Sequence, residues 1–144
     1  GEDFGIIIRY VVQLHAKGLP DAINAAKELI DMSQPIIVLL GDNFFYGHGL
    51  GRNLRKFFSM KKSTIFCIKV PNPQDFGIIY FDADGKPQKI EEKPINSKSN
   101  YAIPGFYFFT PDIFEIISNL RISSRGEYEI VDILNKYLNI IAYF

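Results

Sequence analysis

The strongest constraint on the fold is an uninterrupted run of five apolar residues, IIVLL at 36–40, which lies between Pro35 and Gly41. Such a run predicts a strand that is buried on both faces, as in a parallel sheet covered by helices. Asp42 follows Gly41 directly. Because open α/β sheets bind ligands beyond the carboxyl ends of their strands, Asp42 is well placed to hold a hard cation such as Mg²⁺. The alternative is that Asp42 only caps the turn that follows.

The composition excludes two classes of protein. Of the 144 residues, 47% are hydrophobic, and 16 basic residues balance 16 acidic ones. A chain with this apolar content and no charge excess is typical neither of a disordered segment nor of a general polyanion binder. We therefore expect no nucleic-acid partner, and any phosphate group must be held by a local site. The length is that of one domain.

The sequence also bears on the cellular compartment. Its single cysteine, Cys67, excludes a disulfide framework and a cysteine-based metal cluster, and it suits a reducing compartment. No apolar stretch approaches the roughly 18 residues of a membrane span. Residues 1–3 have neither the basic flank nor the apolar core of a signal peptide. We therefore expect a cytoplasmic protein that has no membrane partner.

Hydrophobic periodicity and turn residues predict an alternation of strands and helices. The predicted strands cover residues 5–12, 36–40, 63–70, 77–81, 86–91, 105–109 and 140–144. Helices are predicted over residues 20–30 and 50–61, after a start at residues 110–112, and after a capping box at residues 124–127. Asp84-Gly85 predicts a hairpin turn between the fourth and fifth strands. This order predicts an α/β fold with a mixed, mainly parallel sheet.

Polar groups that a hydrophobic core does not need occur in four places. Besides Asp42, these are Gln13 and Gly18 after the first strand, Glu91-Glu92-Lys93-Pro94 after the hairpin, and Arg125-Gly126-Glu127 before the last helix. A glutamine amide offers the donor and the acceptor that reading a nucleobase edge requires. The amino end of a helix attracts anions. Taken singly, each group is more often a solvated surface residue than part of a site.

Together and in this order, five segments resemble the sugar-phosphate nucleotidyltransferases. They are LLGDNFFYGHGL, FGIIYFD, IEEKP, SKSNYAIPGFYFF and SSRGEYEIVDILNKYL, and the resemblance extends over residues 5–138. It implies a Rossmann-like, three-layer α/β/α fold of the nucleotide-diphospho-sugar transferase type. The implied reaction joins a sugar 1-phosphate, here glucose 1-phosphate, to dTTP and yields a dTDP-sugar and pyrophosphate, in dTDP-sugar biosynthesis of the rhamnose type. A homo-oligomer, specifically a tetramer, is also implied.

The resemblance implies roles for three residues on the nucleotide side. Asp42 matches the aspartate that holds the catalytic Mg²⁺. Gln13 and Gly18 match the pair that contacts the edge of the thymine base.

Five further residues match the sugar-phosphate side of the family's site. Gly77 and Glu92 match groups that hold the sugar ring, with the backbone of Ile103 nearby. Lys93 matches the lysine on the sugar phosphate, and Arg125 matches an arginine placed towards the same phosphate. Lys93 and Arg125 are therefore the expected catalytic residues.

The sequence also departs from the family pattern. The glycine-rich GxGTRLxPxT loop that wraps the triphosphate is expected before Gly1, and a second metal-binding aspartate is expected after Phe144. We therefore expect one nucleotidyltransferase domain, residues 1–144, that is incomplete at both ends and does not turn over alone. The stretch GLPDA at residues 18–22 also differs from the GLAQA of the most similar members.

Two alternatives stay open at this point. One is an enzyme of the same class that uses UTP or another hexose 1-phosphate. The other is a truncated, noncatalytic module that keeps a sugar-nucleotide-binding half-site.

Overall fold

The structure is a computed structural model, and it describes residues 1–138 and 141–143. The strands are β1 (Ile36–Leu39), β2 (Thr64–Lys69), β3 (Gly77–Phe81), β4 (Pro87–Glu92), β5 (Tyr101–Ile103), β6 (Phe106–Phe109) and β7 (Ile141–Tyr143). The α-helices are α1 (Leu19–Ala25), α2 (Leu50–Met60), α3 (Ile113–Ser118) and α4 (Ile130–Leu134). Short 3₁₀ helices occur at Glu2–Phe4, Lys27–Leu29 and Pro73–Asp75.

The strands form one sheet in the order β1-β6-β2-β5-β3-β4, and β7 pairs with β2. Of the six strand pairs among the described residues, five are antiparallel and only β2–β7 is parallel. The prediction of a mainly parallel sheet is therefore wrong for this part of the chain. The physical reason is that β5 and β6 lie between β1, β2 and β3 and run opposite to all three.

Helices cover both faces of the sheet. The side chains of β6 alternate between these faces, so each face has its own hydrophobic core. Phe106 and Phe108 join Phe66 in a small aromatic cluster, against which Leu54 and Phe57 of α2 pack. Tyr107 and Phe109 point the other way, into the main core. That core is completed by residues of three helices, namely Ile23 of α1, Ile113, Phe114 and Ile117 of α3, and Val131, Ile133 and Leu134 of α4. The α/β class and the three-layer arrangement are confirmed.

Several predicted elements are confirmed. The second predicted helix is α2, and Phe57 meets Phe66 edge-on with ring centroids 5.1 Å apart. The hairpin of β3 and β4 is also present, with Gly85 in the left-handed region at a φ of 77°. The final predicted strand appears as β7, whereas Ile140 and Phe144 lie outside the described residues.

The strand predicted over residues 5–12 is wrong. In the structure this segment follows a 3₁₀ turn and forms no strand, and the side chains of Ile7 and Tyr10 are 85% and 88% exposed. Its β-branched composition matches that of a strand, but a strand also needs a neighbour for its backbone N–H and C=O groups. No such neighbour is paired with this segment among the described residues.

Two other expectations about local structure are corrected. The strand β1 is not buried on both faces: among the described strands it pairs with β6 alone, and Ile37 and Leu39 are 48% and 55% exposed. The expected capping box at residues 124–127 is a turn closed by the Gly126 N–H on the Ser123 carbonyl, at 3.0 Å. Helix α4 begins only at Ile130. A short strand, β5, was not predicted.

The outer edge of β4 is closed by one side chain. The Asn135 Oδ1 accepts a hydrogen bond from the Ile90 N–H at 2.9 Å, and the Asn135 Nδ2 donates to the Ile90 carbonyl at 3.1 Å. The same Nδ2 also donates to the carbonyl of Val131 at 2.9 Å. The Asn135 side chain therefore pairs with the Ile90 backbone as a residue of a neighbouring strand would, and it fixes β4 to the end of α4.

None of the described helices is long and apolar enough to cross a membrane, and the longest has 11 residues.

We expect the replacement Asn135→Ala to destabilise the full-length protein by about 2 kcal/mol, because it leaves half-buried backbone groups of Ile90 without partners. Urea unfolding would measure the change. The matched control is Asn119→Ala, since the Asn119 amide donates only to the exposed Glu115 carbonyl at the end of α3. An equal loss of stability in the two variants would contradict this role for Asn135.

Candidate active site

The site is organised by a break in the sheet between β5 and β6. β1 pairs with β6 so that Leu39 lies opposite Phe106, and β3 pairs with β5 so that Gly77 lies opposite Ile103. Only Pro104 and Gly105 separate the two pairings along the chain. The end of β1 and the start of β3 therefore meet at the same point, which brings their flanking loops together.

The loop that carries Asp42 is fixed at this break. The Leu40 N–H donates to the Gly105 carbonyl at 2.9 Å, and the Asn43 N–H donates to the Leu40 carbonyl at 3.1 Å. A Cβ on Gly105 would lie 2.6 Å from the side chain of Leu40 and 2.7 Å from the Asn43 Nδ2. Any larger residue there would force the side chains of Leu40 and Asn43 to move away.

The Asp42 carboxylate is exposed and is only partly engaged. Its Oδ1 accepts a hydrogen bond from the Asn43 Nδ2 at 2.7 Å. Within the described residues, no group of three His, Cys, Asp or Glu side chains is arranged to hold a metal ion by itself. Mg²⁺ in phosphate-transfer sites is commonly held by one or two carboxylates together with substrate phosphates. A single exposed carboxylate oxygen donor fits that kind of site.

Gly77, Glu92 and Ile103 are brought together by the sheet. Gly77 lies opposite Glu92 on one side and opposite Ile103 on the other. A Cβ on Gly77 would lie 3.3 Å from the Glu92 Oε2, which is a tight contact. The absence of a side chain at Gly77 therefore leaves room for the Glu92 carboxylate. Ile103, on the other side of Gly77, is buried.

Lys93 leaves the sheet in an uncommon conformation. Its φ is 44°, in the left-handed region that non-glycine residues seldom adopt, and its N–H donates to the Phe76 carbonyl at 3.0 Å. Such a conformation costs about 1–3 kcal/mol, which the surrounding structure must offset. The side chain is exposed, and no described residue forms an ion pair or hydrogen bond with its ammonium. The ammonium is therefore available to an anion.

Arg125, in contrast, is held by a carboxylate. Its Nη2 lies 2.6 Å from the Glu129 Oε2, and its Nε donates to the Glu129 Oε1 at 3.0 Å. The Ser123 Oγ donates to the same Oε1 at 2.7 Å. This bidentate pair raises the pKa of Arg125 and lowers the pKa of Glu129. Glu129 orients the guanidinium and offsets its charge, and the Nη1 donors stay available to another acceptor.

Glu92 connects these groups electrostatically. Its charge contributes to the raised pKa of Arg125, after the larger effect of Glu129. Burial raises the pKa of Tyr107 to about 12, and the negative charge of Glu92 adds to this effect. Glu92 therefore lies within electrostatic reach of Arg125 and of the buried phenol below the sheet.

The loop with Gln13 and Gly18 docks on the segment that follows Arg125. The Tyr128 N–H donates to the Lys17 carbonyl at 2.9 Å. Gly18 has a φ of 90°, and a Cβ on it would lie 2.2 Å from the Tyr128 carbonyl oxygen, so no other residue fits there. The Gln13 Nε2 donates to the Asp21 Oδ2 at 2.7 Å and to the Gly18 carbonyl at 3.2 Å.

The structure thus places the sequence-predicted residues in two groups, with the loop of Asp42 fixed at the same break as the first of them. Gly77, Glu92, Lys93 and Ile103 meet at the break, and the loop 13–18 docks beside Arg125. No hydrogen bond or ion pair between described residues joins Asp42 to either group.

Sequence reasoning missed two acidic partners, Glu129 and Asp21. The four-residue spacing of Arg125 and Glu129 is a recognised ion-pair signal and could have predicted that contact. The contact of Asp21 with Gln13 depends on the path of the loop between them, and no sequence signal predicts it.

Comparisons with known proteins identify the family of this chain. A family model described as nucleotidyl transferase matches residues 1–142. The glucose-1-phosphate thymidylyltransferase of Mycolicibacterium smegmatis is 42% identical over 139 residues, which are 96% of this chain and 48% of that protein. The enzyme of the same name from Neisseria meningitidis serogroup A is 37% identical over 139 residues, with the same coverage of 96% and 48%. The chain therefore spans about half the length of the curated relatives it matches.

Solved structures give the same result. A Bacillus anthracis protein that has been assigned the same activity, in complex with sucrose, matches with a TM-score of 0.84 and 32% identity over 99% of this chain and 58% of that one. A UDP-glucose pyrophosphorylase in complex with UDP-glucose matches with a TM-score of 0.73 and 27% identity over 90% and 53%. The predicted nucleotide-diphospho-sugar transferase fold type is confirmed.

The Arg125–Glu129 pair leads to a prediction about pH. Because the pKa of Glu129 is lowered on folding, its contribution to stability is present above about pH 4.3, the usual glutamate value, and is lost as the pH falls through its folded pKa. We expect the melting temperature of the full-length protein to fall more between about pH 6 and pH 3 than that of Glu129→Gln. Glu115→Gln, on the exposed side of α3, is the control. A pH-independent difference between wild type and Glu129→Gln would contradict the assignment.

Proposed function

The chain belongs to the nucleotidyl transferase family, and from that premise we propose that the full-length protein is a glucose-1-phosphate thymidylyltransferase. In this proposal it joins glucose 1-phosphate to dTTP and releases pyrophosphate, in dTDP-sugar biosynthesis. The observation that carries the proposal is the 42% identity to a curated glucose-1-phosphate thymidylyltransferase over 96% of the chain. The gathering of Gly77, Glu92 and Lys93 at the break in the sheet supports it.

The sugar phosphate is proposed to bind at that break. The Glu92 carboxylate accepts hydrogen bonds from sugar hydroxyls, since a carboxylate is an acceptor at neutral pH and Gly77 leaves space beside it. The side chain of Ile103 is buried in the main core, so it is the Ile103 backbone that is proposed to lie beside the ring. The ammonium of Lys93 binds the phosphate, and Arg125 approaches the same phosphate with the donors that Glu129 leaves free.

The reaction that this arrangement supports is an in-line displacement. An oxygen of the sugar phosphate forms a bond to the α-phosphorus of dTTP, and the bond from that phosphorus to the bridging oxygen of the leaving pyrophosphate breaks. A phosphate monoester is already anionic near pH 7, so no side chain has to remove a proton from it. Lys93 and Arg125 are proposed to hold the nucleophile in line and to reduce the repulsion between the two anions.

Mg²⁺ is proposed as the cofactor. When bound, it would neutralise negative charge on the triphosphate, and Asp42 is the described residue that would hold it. The exposed carboxylate of Asp42 and the absence of a complete ligand set among the described residues fit an ion that substrate phosphates share.

UTP is the second candidate nucleotide. The structural match to a UDP-glucose pyrophosphorylase, at 27% identity, favours keeping it in the assays. The noncatalytic alternative is less favoured, because the curated relatives carry enzyme names.

The proposed function is tested by measuring pyrophosphate release from the purified full-length protein with glucose 1-phosphate, Mg²⁺, and either dTTP or UTP. We expect turnover that is faster with dTTP. Faster turnover with UTP would show that UTP, and not dTTP, is the preferred nucleotide. Binding of sugar phosphate without turnover would favour the noncatalytic module.

We expect Asp42→Asn to lower kcat of the full-length protein by about a hundredfold or more, because the variant loses a charged oxygen ligand for Mg²⁺. The fold should persist, since the Asp42 side chain is exposed. Asp84→Asn, in the exposed turn of the hairpin, is the control for loss of one carboxylate. A rate and a Mg²⁺ dependence close to those of the wild type would remove Asp42 from the site.

We expect Lys93→Ala to raise KM for glucose 1-phosphate and to lower kcat, with a fall in kcat/KM of about a hundredfold. The ammonium both binds the nucleophile and aligns it, so both constants should change. Lys93→Gln tests the charge at similar side-chain length, and Lys98→Ala is the exposed control. An effect confined to KM for the nucleotide would show that Lys93 binds the nucleotide and not the sugar phosphate.

A further inference from the structure

The side-chain amide of Gln13 is held by two acceptors. Its Nε2 donates to the Asp21 Oδ2 at 2.7 Å and to the Gly18 carbonyl oxygen at 3.2 Å. A glutamine amide has two N–H donors, so both are used. The Gln13 Oε1 has no hydrogen-bond partner among the described residues. The amide therefore presents an acceptor, and only an acceptor, to a ligand.

Asp21 fixes this orientation. In the opposite orientation the Gln13 Oε1 would face the Asp21 carboxylate and the Gly18 carbonyl, and oxygen would repel oxygen at hydrogen-bond distance. An ionised carboxylate at position 21 has no hydrogen to donate, so it cannot pair with the Gln13 Oε1. A Gln or Asn at position 21 could pair with either orientation of the Gln13 amide, because its own amide can rotate to present N–H or oxygen. Asp21 is half-buried in the first turn of α1, directly after Pro20, so the helix fixes its position.

Next to this acceptor, the loop presents a donor. The N–H of Gly18 has no partner among the described residues, while its carbonyl accepts from Gln13 and from the Ala22 N–H. Gln13 and Asp21 line a shallow cavity of about 230 Å³, together with His15 and Lys17. The cavity therefore has a fixed acceptor in its lining, and Gly18, whose N–H is a donor, contacts the same amide through its carbonyl.

We propose that Asp21 is a positioning residue that sets base specificity, by holding the Gln13 amide with its Oε1 towards the base. A fixed acceptor beside a donor matches a base that has a ring N–H next to a carbonyl, as thymine and uracil do. Cytosine presents an unprotonated ring nitrogen next to an amino group, so both contacts become repulsive. This inference rests on the proposed function, and on the family resemblance that assigns Gln13 and Gly18 to the edge of the nucleobase.

The experiment compares two nucleotides of equal size. dUTP and dCTP differ only along the N3 and C4 edge, so their ratio of kcat/KM reports the reading of that edge. The ratio is measured with glucose 1-phosphate and Mg²⁺ for the full-length wild type, for Asp21→Asn, and for the control Glu28→Gln. Glu28 is exposed just beyond α1, so its replacement removes the same charge without touching Gln13.

We expect Asp21→Asn to lower the preference for dUTP over dCTP by about ten- to a hundredfold, with the change mainly in KM. Glu28→Gln should keep the wild-type ratio. The melting temperature of Asp21→Asn is recorded as well, because loss of stability alone lowers both rates equally and leaves the ratio unchanged. An unchanged ratio in Asp21→Asn would overturn the inference while leaving the proposed function intact. Absence of turnover by the wild type with dTTP, dUTP and dCTP would overturn the proposed function and this inference with it.

Discussion

The position of the site depends on the antiparallel ladder of residues 101–109 and on its interruption at Pro104 and Gly105. Proline has no N–H to donate, so the ladder cannot continue through position 104. Gly105 has no side chain, so the chain after β1 can approach to hydrogen-bond distance. These two residues make β5 and β6 separate strands, and they let β1 and β3 use successive parts of one neighbour. The side chains proposed to bind the sugar gather where the ladder is interrupted.

The two cations of the site differ in how they are held, and the magnitudes indicate why. The Arg125–Glu129 pair is partly exposed, and exposed ion pairs typically stabilise a fold by about 1 kcal/mol or less. Stability is therefore a weak reason for its bidentate geometry, which mainly restricts the guanidinium to one orientation. Lys93 is oriented by its backbone instead, through a φ of 44° and the hydrogen bond to the Phe76 carbonyl. In the proposed function, an oriented guanidinium and an unpaired ammonium together suit the alignment of a phosphate.

The sequence predicts the local elements better than it predicts their pairing. The α2 helix and the hairpin of β3 and β4 follow from periodicity and from the turn residues Asp84 and Gly85, which are local signals. The direction of β6 relative to β1 depends on contacts between residues about 70 positions apart. An apolar run predicts a buried strand but does not indicate whether that strand pairs in a parallel or an antiparallel direction. The strand predicted over residues 5–12 is wrong for a related reason. The side-chain pattern of a segment does not show whether another strand is present to pair with its backbone. For the site, residue types such as Gln13, Glu92 and Lys93 could be selected from the family resemblance. The carboxylate partner of Gln13, Asp21, could not be selected in this way, since only the path of the loop brings the two side chains together.

The close approach of Gly18 to Tyr128 links the two halves of the proposed site mechanically. The loop 13–18 is fixed to the backbone after Arg125 by the bond from the Tyr128 N–H to the Lys17 carbonyl, and the contact at Gly18 leaves no space for a side chain. A displacement of the Gln13 loop therefore also displaces the segment that carries Arg125 and Glu129. Two anionic substrates that must react in line gain from such a link, because their relative position is set by the protein before either one binds. In the proposed function, base recognition at Gln13 and phosphate alignment at Arg125 therefore depend on one shared backbone contact.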